Sequence, residues 1–269
     1  MCGALAANPA GFHTERWGHS YRESARDTLG PGAAIAPTFA ASLGPDVDAL
    51  AAVAASDEAH AAANALDEVV GDRLVIARSD RIEPSKNIVR GFLAYDRLLE
   101  ARPGLRGRVT FVAMLYKSRE SLPEYLAYAN EVEQVVARVN ERWETRDWTP
   151  ILLDERDDFP RSIAAMQRYD VLVVNPIKDG LNLVAKEGPA VNTRDGLLCL
   201  SREAGAWEEL HDAAIAMHPY DLEDAAAALD TALATPLDER ATIAKRLRAR
   251  ATARTPSDWL DDLVAQARD

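Results

Sequence analysis

The sequence is poor in the residues that most often announce a chemistry. Only two cysteines occur in 269 residues, Cys2 and Cys199. They form no CxxC pair, so reduced thiols are expected rather than a disulfide framework. The five histidines (His13, His19, His60, His211 and His218) are too scattered for a metal-ligand spacing. No HExxH helix is present, so structural zinc and zinc hydrolysis have no signal. Aromatic residues make up 6%, and the five tryptophans are dispersed as packing residues rather than as a base-stacking platform. No apolar run reaches the roughly eighteen residues a membrane helix needs, and no basic N-terminal region leads into an apolar core. A cytoplasmic protein without membrane contact is therefore expected. Positive charge is scarce too: 31 Lys and Arg against 43 Asp and Glu give a net charge of −12 and a pI near 5.0. That field repels a phosphate backbone and argues against nucleic acid, while a local basic pocket could still hold a small phosphorylated ligand.

What is present is a soluble, helix-rich composition, with 48% hydrophobic and 28% charged residues and abundant alanine. Residues 1–70 form one region, expected to be a remnant of an N-terminal domain or interdomain segment. It reads as a helix over 14–29, a loop punctuated by Gly30, Pro31, Gly32, Pro37, Gly44 and Pro45, and one alanine-rich helix over 49–70. From residue 71 to 269 strands and helices alternate. Strands are expected at 73–79, 109–116, 150–154, 170–175, 197–201 and 213–217. Helices fill the intervals, the first capped by Ser85 and running to residue 101, others over 122–143, 160–169 and 182–190. Repeated strand–helix–strand units predict an α/β fold, a doubly wound parallel Rossmann-like sheet whose ligands sit beyond the carboxyl ends of the strands.

Three segments fall at those ends. Ser79-Asp80-Arg81-Ile82-Glu83-Pro84-Ser85-Lys86 puts Arg81 and Lys86 near a helix N-terminus, where open amides and the helix dipole favour an anion. In Asn175–Glu187, Gly180 allows close approach, the amides of Leu183 and Val184 open a helix toward a phosphate, Asp179 offers acceptors to sugar hydroxyls, and Glu187 suits a ribose. Small residues over 200–206 could line a pocket. Each segment also suits a blander reading: a solvated turn, an Asp-Gly turn before a capped helix, and a tight connection.

Together the segments resemble a known family. Asp80-Arg81 followed by Ser85-Lys86 resembles its RxDxSKG phosphate motif, and Lys178-Asp179-Gly180-Leu181-Asn182-Leu183-Val184-Ala185-Lys186-Glu187 resembles its RDGMNLVAKE signature. Leu200-Ser201-Arg202-Glu203-Ala204-Gly205-Ala206, His218-Pro219-Tyr220-Asp221 and Gly11-Phe12-His13-Thr14-Glu15 add further pieces. These are motifs of the trehalose-6-phosphate synthases, retaining hexosyltransferases of the GT-B fold. The resemblance implies that residues 71–269 are the C-terminal, nucleotide-sugar-binding domain. Arg81 and Lys86 would hold the donor diphosphate, joined by the Leu183 and Val184 amides, and Glu187 would bind the ribose. Asp179, Gly180, Leu181 and Asn182 would meet the glucose. The donor would be UDP-glucose or another NDP-glucose, a substrate rather than a cofactor, and the acceptor glucose 6-phosphate. No metal or cofactor is implied; two cations would stabilise the leaving diphosphate.

The sequence departs from that pattern in places. Leu181 stands for the usual Met, Glu83-Pro84 for Asp-Tyr, and residues 30–70 match the family weakly. The family's acceptor pocket, glycine-rich loop and active-site histidine belong to an N-terminal domain with no counterpart here, so the chain is expected to be truncated or split, working beside a separate N-terminal half or as a homo-oligomer. The alternatives are a non-catalytic nucleotide-sugar-binding or interaction module, and a related synthase with a different acceptor.

Overall fold

A computed structural model describes residues 9–30, 32–119 and 121–268. In chain order the N-terminal elements are strand β1 (Ala10–Phe12), helix α1 (Glu15–Leu29), strand β2 (Thr38–Ala40), helix α2 (Val47–Ala54) and helix α3 (Asp57–Val70). Then come β3 (Leu74–Ile82), α4 (Ile88–Ala101), β4 (Val109–Lys117), α5 (Pro123–Trp143), β5 (Ile151–Asp154), α6 (Phe159–Arg168) and β6 (Val171–Val174). The last elements are α7 (Val184–Val191), β7 (Leu197–Ser201), the short α8 (Trp207–Leu210), β8 (Ile215–Met217), α9 (Leu222–Ala234), α10 (Leu237–Ala251) and α11 (Pro256–Arg268).

Apolar runs alternate between two cores because successive strand residues point to opposite faces. Ile76, Phe111, Val171, Val173 and Leu197 enter one core with side chains of α4, α5 and α9. Val75, Ala77, Val112, Leu172, Val174, Leu198 and Leu200 enter the other, with contributions from α3, α6 and α10. The strands form one parallel sheet in the order β5-β4-β3-β6-β7-β8. Counted within the sheet, the order is the doubly wound one, and the chain reverses direction of travel between β3 and β6. The expected α/β, Rossmann-like class is what the molecule adopts. The carboxyl ends of β3 and β6, where ligand crevices open in such sheets, are the ends that carry the motifs.

Several expectations are corrected. The region 30–45 is not all loop: Thr38–Ala40 pairs in parallel with Ala10–Phe12. The single helix over 49–70 is two helices. The Ser56 hydroxyl accepts from Ala59 N at 3.1 Å and starts α3 after α2 has ended. Ser85 caps no helix, because Pro84–Lys86 is a 3₁₀ turn and α4 begins after Asn87, held at φ 60°. Thr14 does cap α1, accepting from Trp17 N at 3.3 Å. Cys199 is buried, which pushes its thiol up to about 12, while Cys2 lies outside the described residues.

Residues 9–70 are tied to the sheet domain. α3 and α2 pack on α6, and α2 also on α7. Lys186, on α7 and 1% exposed, donates to Ser42 Oγ at 3.0 Å, Leu43 O at 2.9 Å and Glu209 at 2.7 Å. Arg16 on α1 reaches the Arg202 carbonyl at 2.9 Å. None of the helices among the described residues is long and apolar enough to cross a membrane.

Candidate functional site

The site begins where β3 runs out beyond the sheet. Its last residues pair with β4 so that Arg81 lies beside Tyr116. The Arg81 guanidinium meets Glu83 at 2.9 Å, and Ser118 donates to the same Glu83 oxygen at 3.1 Å. Lys86, on the 3₁₀ turn, points across the sheet reversal and donates to Asp179 at 2.7 Å, with Asp80 at 3.7 Å on its other side. The structure thus brings together two residues that are 93 positions apart. Burial raises the Asp80 pKa, while Arg78 and Lys86 oppose that rise.

The second wall is the loop after β6. Asp179 bridges Ala204: its N–H donates to Glu203 O at 3.1 Å and its carbonyl accepts from Gly205 N at 3.0 Å. Ala206 N then donates to Leu181 O at 2.7 Å. Gly205 is needed here, since a Cβ would lie 2.1 Å from the Gly180 carbonyl oxygen. Within the loop Asp179 accepts from Leu181 N at 3.3 Å and Asn182 Nδ2 at 3.2 Å, and Asn182 sits at φ 75°. That left-handed turn lets its Oδ1 accept from Ala185 N at 3.2 Å and leads the chain into α7. The Leu183 and Val184 amides ahead of it have no acceptor among the described residues. They form the open helix N-terminus that the sequence predicts.

The N-terminus of α4 is different, and here the expectation fails. The Tyr128 hydroxyl accepts from Ile88 N at 2.8 Å and from Val89 N at 3.4 Å, so those amides are occupied. Asn87 closes that end further by donating to Asn175 O at 3.0 Å and Pro219 O at 2.7 Å. The Ile88 and Val89 amides are therefore not open to an anion, and the cations lining this side of the cleft are Arg81 and Lys86.

Between the walls lies a cleft of about 180 Å³ lined by Asp80, Arg81 and Lys86 on one side and by Val184 and Glu187 on the other. Burial raises the Glu187 pKa, as befits a carboxyl without a cation beside it. Tyr116 and Phe159 border the same cleft, with Asp157 and Ser162. The motifs did not point to these residues. Phe159 is large and apolar yet 47% exposed, a feature that only the folded structure reveals. The larger hollow of about 550 Å³ between α3 and β5 lies away from the switch point, whereas hollows of about 410 and 280 Å³ are lined in part by Lys178 and Gly180 of the loop after β6. Among the described residues no cluster of His, Cys, Asp and Glu could hold a metal ion.

Comparison with known proteins finds relatives over nearly the whole chain. The model of glycosyltransferase family 20 matches residues 3–269. The trehalose-6-phosphate synthase of Sinorhizobium fredii is 34% identical over 258 residues, which cover 91% of this chain and 55% of that one. An α,α-trehalose-phosphate synthase (UDP-forming) from Burkholderia xenovorans, solved in complex with glucose-6-phosphate, superposes with a TM-score of 0.89 at 27% identity. It is covered over 63% of its length by all of this chain. The trehalose-6-phosphate protein of E. coli bound with UDP-2-fluoro glucose gives 0.87 at 27% identity, over 96% of this chain and 60% of that one. The chain therefore spans a little over half the length of these relatives, and its domain is that of a GT-B glycosyltransferase.

Proposed function

This chain belongs to glycosyltransferase family 20, and from that premise we propose that it binds an NDP-glucose donor and presents the glucosyl group for retaining transfer to glucose 6-phosphate, giving trehalose 6-phosphate. The observation that carries the reading is the meeting of Lys86 and Asp179 at 2.7 Å across the sheet reversal, beside the open α7 amides. A diphosphate entering there would meet two cations, Arg81 and Lys86, and the positive end of α7 through Leu183 and Val184. Glu187, farther along the same helix, would accept from the ribose hydroxyls. Glucose would extend the other way, toward Asp179, Gly180, Leu181 and Asn182.

In that pose the bond from the glucosyl anomeric carbon to the phosphate oxygen breaks as the acceptor hydroxyl attacks the same face. The acceptor proton passes to the departing phosphate oxygen, and Arg81 and Lys86 hold the charge that gathers there. Both cations have carboxylate partners beforehand, Glu83 and Asp179, so the donor must displace part of that pairing. The relatives' names and ligands support UDP-glucose and glucose 6-phosphate.

The test is calorimetric titration of the chain with UDP, GDP and their glucose conjugates, together with Lys86→Ala, and a coupled assay for UDP release in the presence of glucose 6-phosphate. Saturable binding that weakens in Lys86→Ala supports the donor site, and UDP release dependent on the acceptor supports transfer. Binding without release favours a nucleotide-sugar-binding module. A folded chain that binds no nucleotide overturns both.

A further inference from the structure

The most deeply buried charged side chain beside the cleft belongs to neither family motif. Arg78, on β3, is 1% exposed. Its Nε donates to Asp80 Oδ2 at 2.9 Å and its Nη2 to the Lys86 carbonyl at 2.7 Å. Nη1 has no partner among the described residues. Room for the guanidinium comes from Gly91 on α4, where a Cβ would stand 2.7 Å from Nη1.

Only a planar, permanently charged fork can make both bonds at once. The two bonds act on the same neighbour from different ends. One fixes the backbone of Lys86. The other occupies Asp80, the carboxylate that otherwise competes for the Lys86 ammonium from 3.7 Å. A carboxyl this buried, stripped of its guanidinium, would draw the nearest cation, and the nearest remaining cation is Lys86.

We propose that Arg78 is a positioning residue of the donor site: by holding the Lys86 carbonyl and satisfying Asp80, it leaves the Lys86 ammonium facing Asp179 and the cleft, available to the donor diphosphate. The inference rests on the donor-site reading for its consequence in binding, but the arrangement of Lys86 can be tested without any nucleotide. Arg78 touches no substrate and acts through Lys86 and Asp80.

The experiment compares wild type, Arg78→Met, Asp80→Asn, the double variant Arg78→Met/Asp80→Asn, and Arg78→Lys. The first readout is the pKa of the Lys86 ammonium by NMR of ¹³C-dimethylated lysines, assigned with Lys86→Arg. Arg78→Met should raise it by about one unit, because Asp80 is left to Lys86 alone, and the double variant should return it toward wild type. The second readout is the UDP dissociation constant, expected to weaken about tenfold in Arg78→Met and to recover in the double variant. Arg78→Lys should bind UDP as poorly as Arg78→Met, since one ammonium cannot reproduce the fork.

A Lys86 pKa unmoved by Arg78→Met, or the same in Arg78→Met and the double variant, overturns the proposal. So does UDP binding that falls only as folding is lost, with no recovery from Asp80→Asn. If Arg78→Met does not fold, Asp80→Asn alone decides: it should lower the Lys86 pKa, and an unchanged value refutes the coupling. If wild type binds no UDP, the donor reading fails, and the pKa series still settles the role of Arg78.

Discussion

Replacing Asp179 by Asn should make UDP bind more tightly and UDP-glucose more weakly. Lys86 and Asp179 are paired at 2.7 Å with side chains only 15% and 19% exposed, so the ammonium faces a carboxylate before any donor arrives. A diphosphate competes for that ammonium and must split or share the pair. The gross attraction of a pair this close is about 6 kcal/mol at a surface-like dielectric. Most of it is offset by desolvation and ordering, leaving a net of about 1 kcal/mol. Releasing it in Asp179→Asn corresponds to about fivefold tighter UDP binding. Asn keeps the shape of the side chain and can still accept from Leu181 N, which bonds Asp179 at 3.3 Å, so the loop should hold.

The glucose conjugate behaves differently because Asp179 also serves the sugar. Losing a charged acceptor for a hydroxyl costs about 1.5 to 3 kcal/mol. That exceeds the gain at Lys86, and UDP-glucose should bind several-fold more weakly to the variant. Parallel titrations of wild type and Asp179→Asn with both ligands at one ionic strength give the ratio of their dissociation constants. A ratio that stays constant, or UDP binding that weakens, would refute the placement of Asp179 between the diphosphate and the glucose.

Gly205→Ala drives a methyl group to 2.1 Å from the Gly180 carbonyl oxygen. It should cost about 1 to 3 kcal/mol of stability and loosen the 179–182 loop. The expected signature is a lower melting temperature with UDP-glucose affinity lost more than UDP affinity. Glu187→Gln tests the raised carboxyl. Because the folded-state pKa lies above the unfolded value of 4.5, wild type loses stability as pH rises through it. The variant should be more stable at pH 7, with the difference vanishing toward pH 4 in urea titrations, and it should bind the ribose more weakly. A stability difference that does not change with pH would remove burial as the cause.

The sheet was legible because its strands are apolar on both faces, and such runs stand out between polar helices. Residues 197–201 were read as the strand that forms, and each of the other main-sheet strands was found within a few residues of its ends. Short or non-local elements were not legible. Thr38–Ala40 is three residues among prolines and glycines, and it is a strand only because Ala10–Phe12, far back in the chain, lies beside it. The break between α2 and α3 carries neither Gly nor Pro, only the Ser56-Asp57-Glu58 start signal inside an alanine-rich run.

The candidate site divides along the same line. Lys86 and Asp179 were found because each sits in a motif at a strand end, and topology alone then joins them. Ser85 was misread because a hydroxyl before an apolar run looks like a cap, whereas Pro84 sets a 3₁₀ turn and Asn87 takes the left-handed position that starts α4. The occupied α4 amides could not be foreseen, since their acceptor is Tyr128, 40 residues away on α5. Arg78 illustrates the general difficulty. An arginine inside an otherwise apolar strand is a visible anomaly, but its meaning depends on what its fork reaches. One arm reaches Asp80, which the strand itself brings within range two residues on, and the other reaches a main-chain carbonyl that carries no residue signature. The polar groups that settle how this site is charged are therefore the ones whose partners are set by the folded backbone, and a one-dimensional pattern records the charges without recording whom they face.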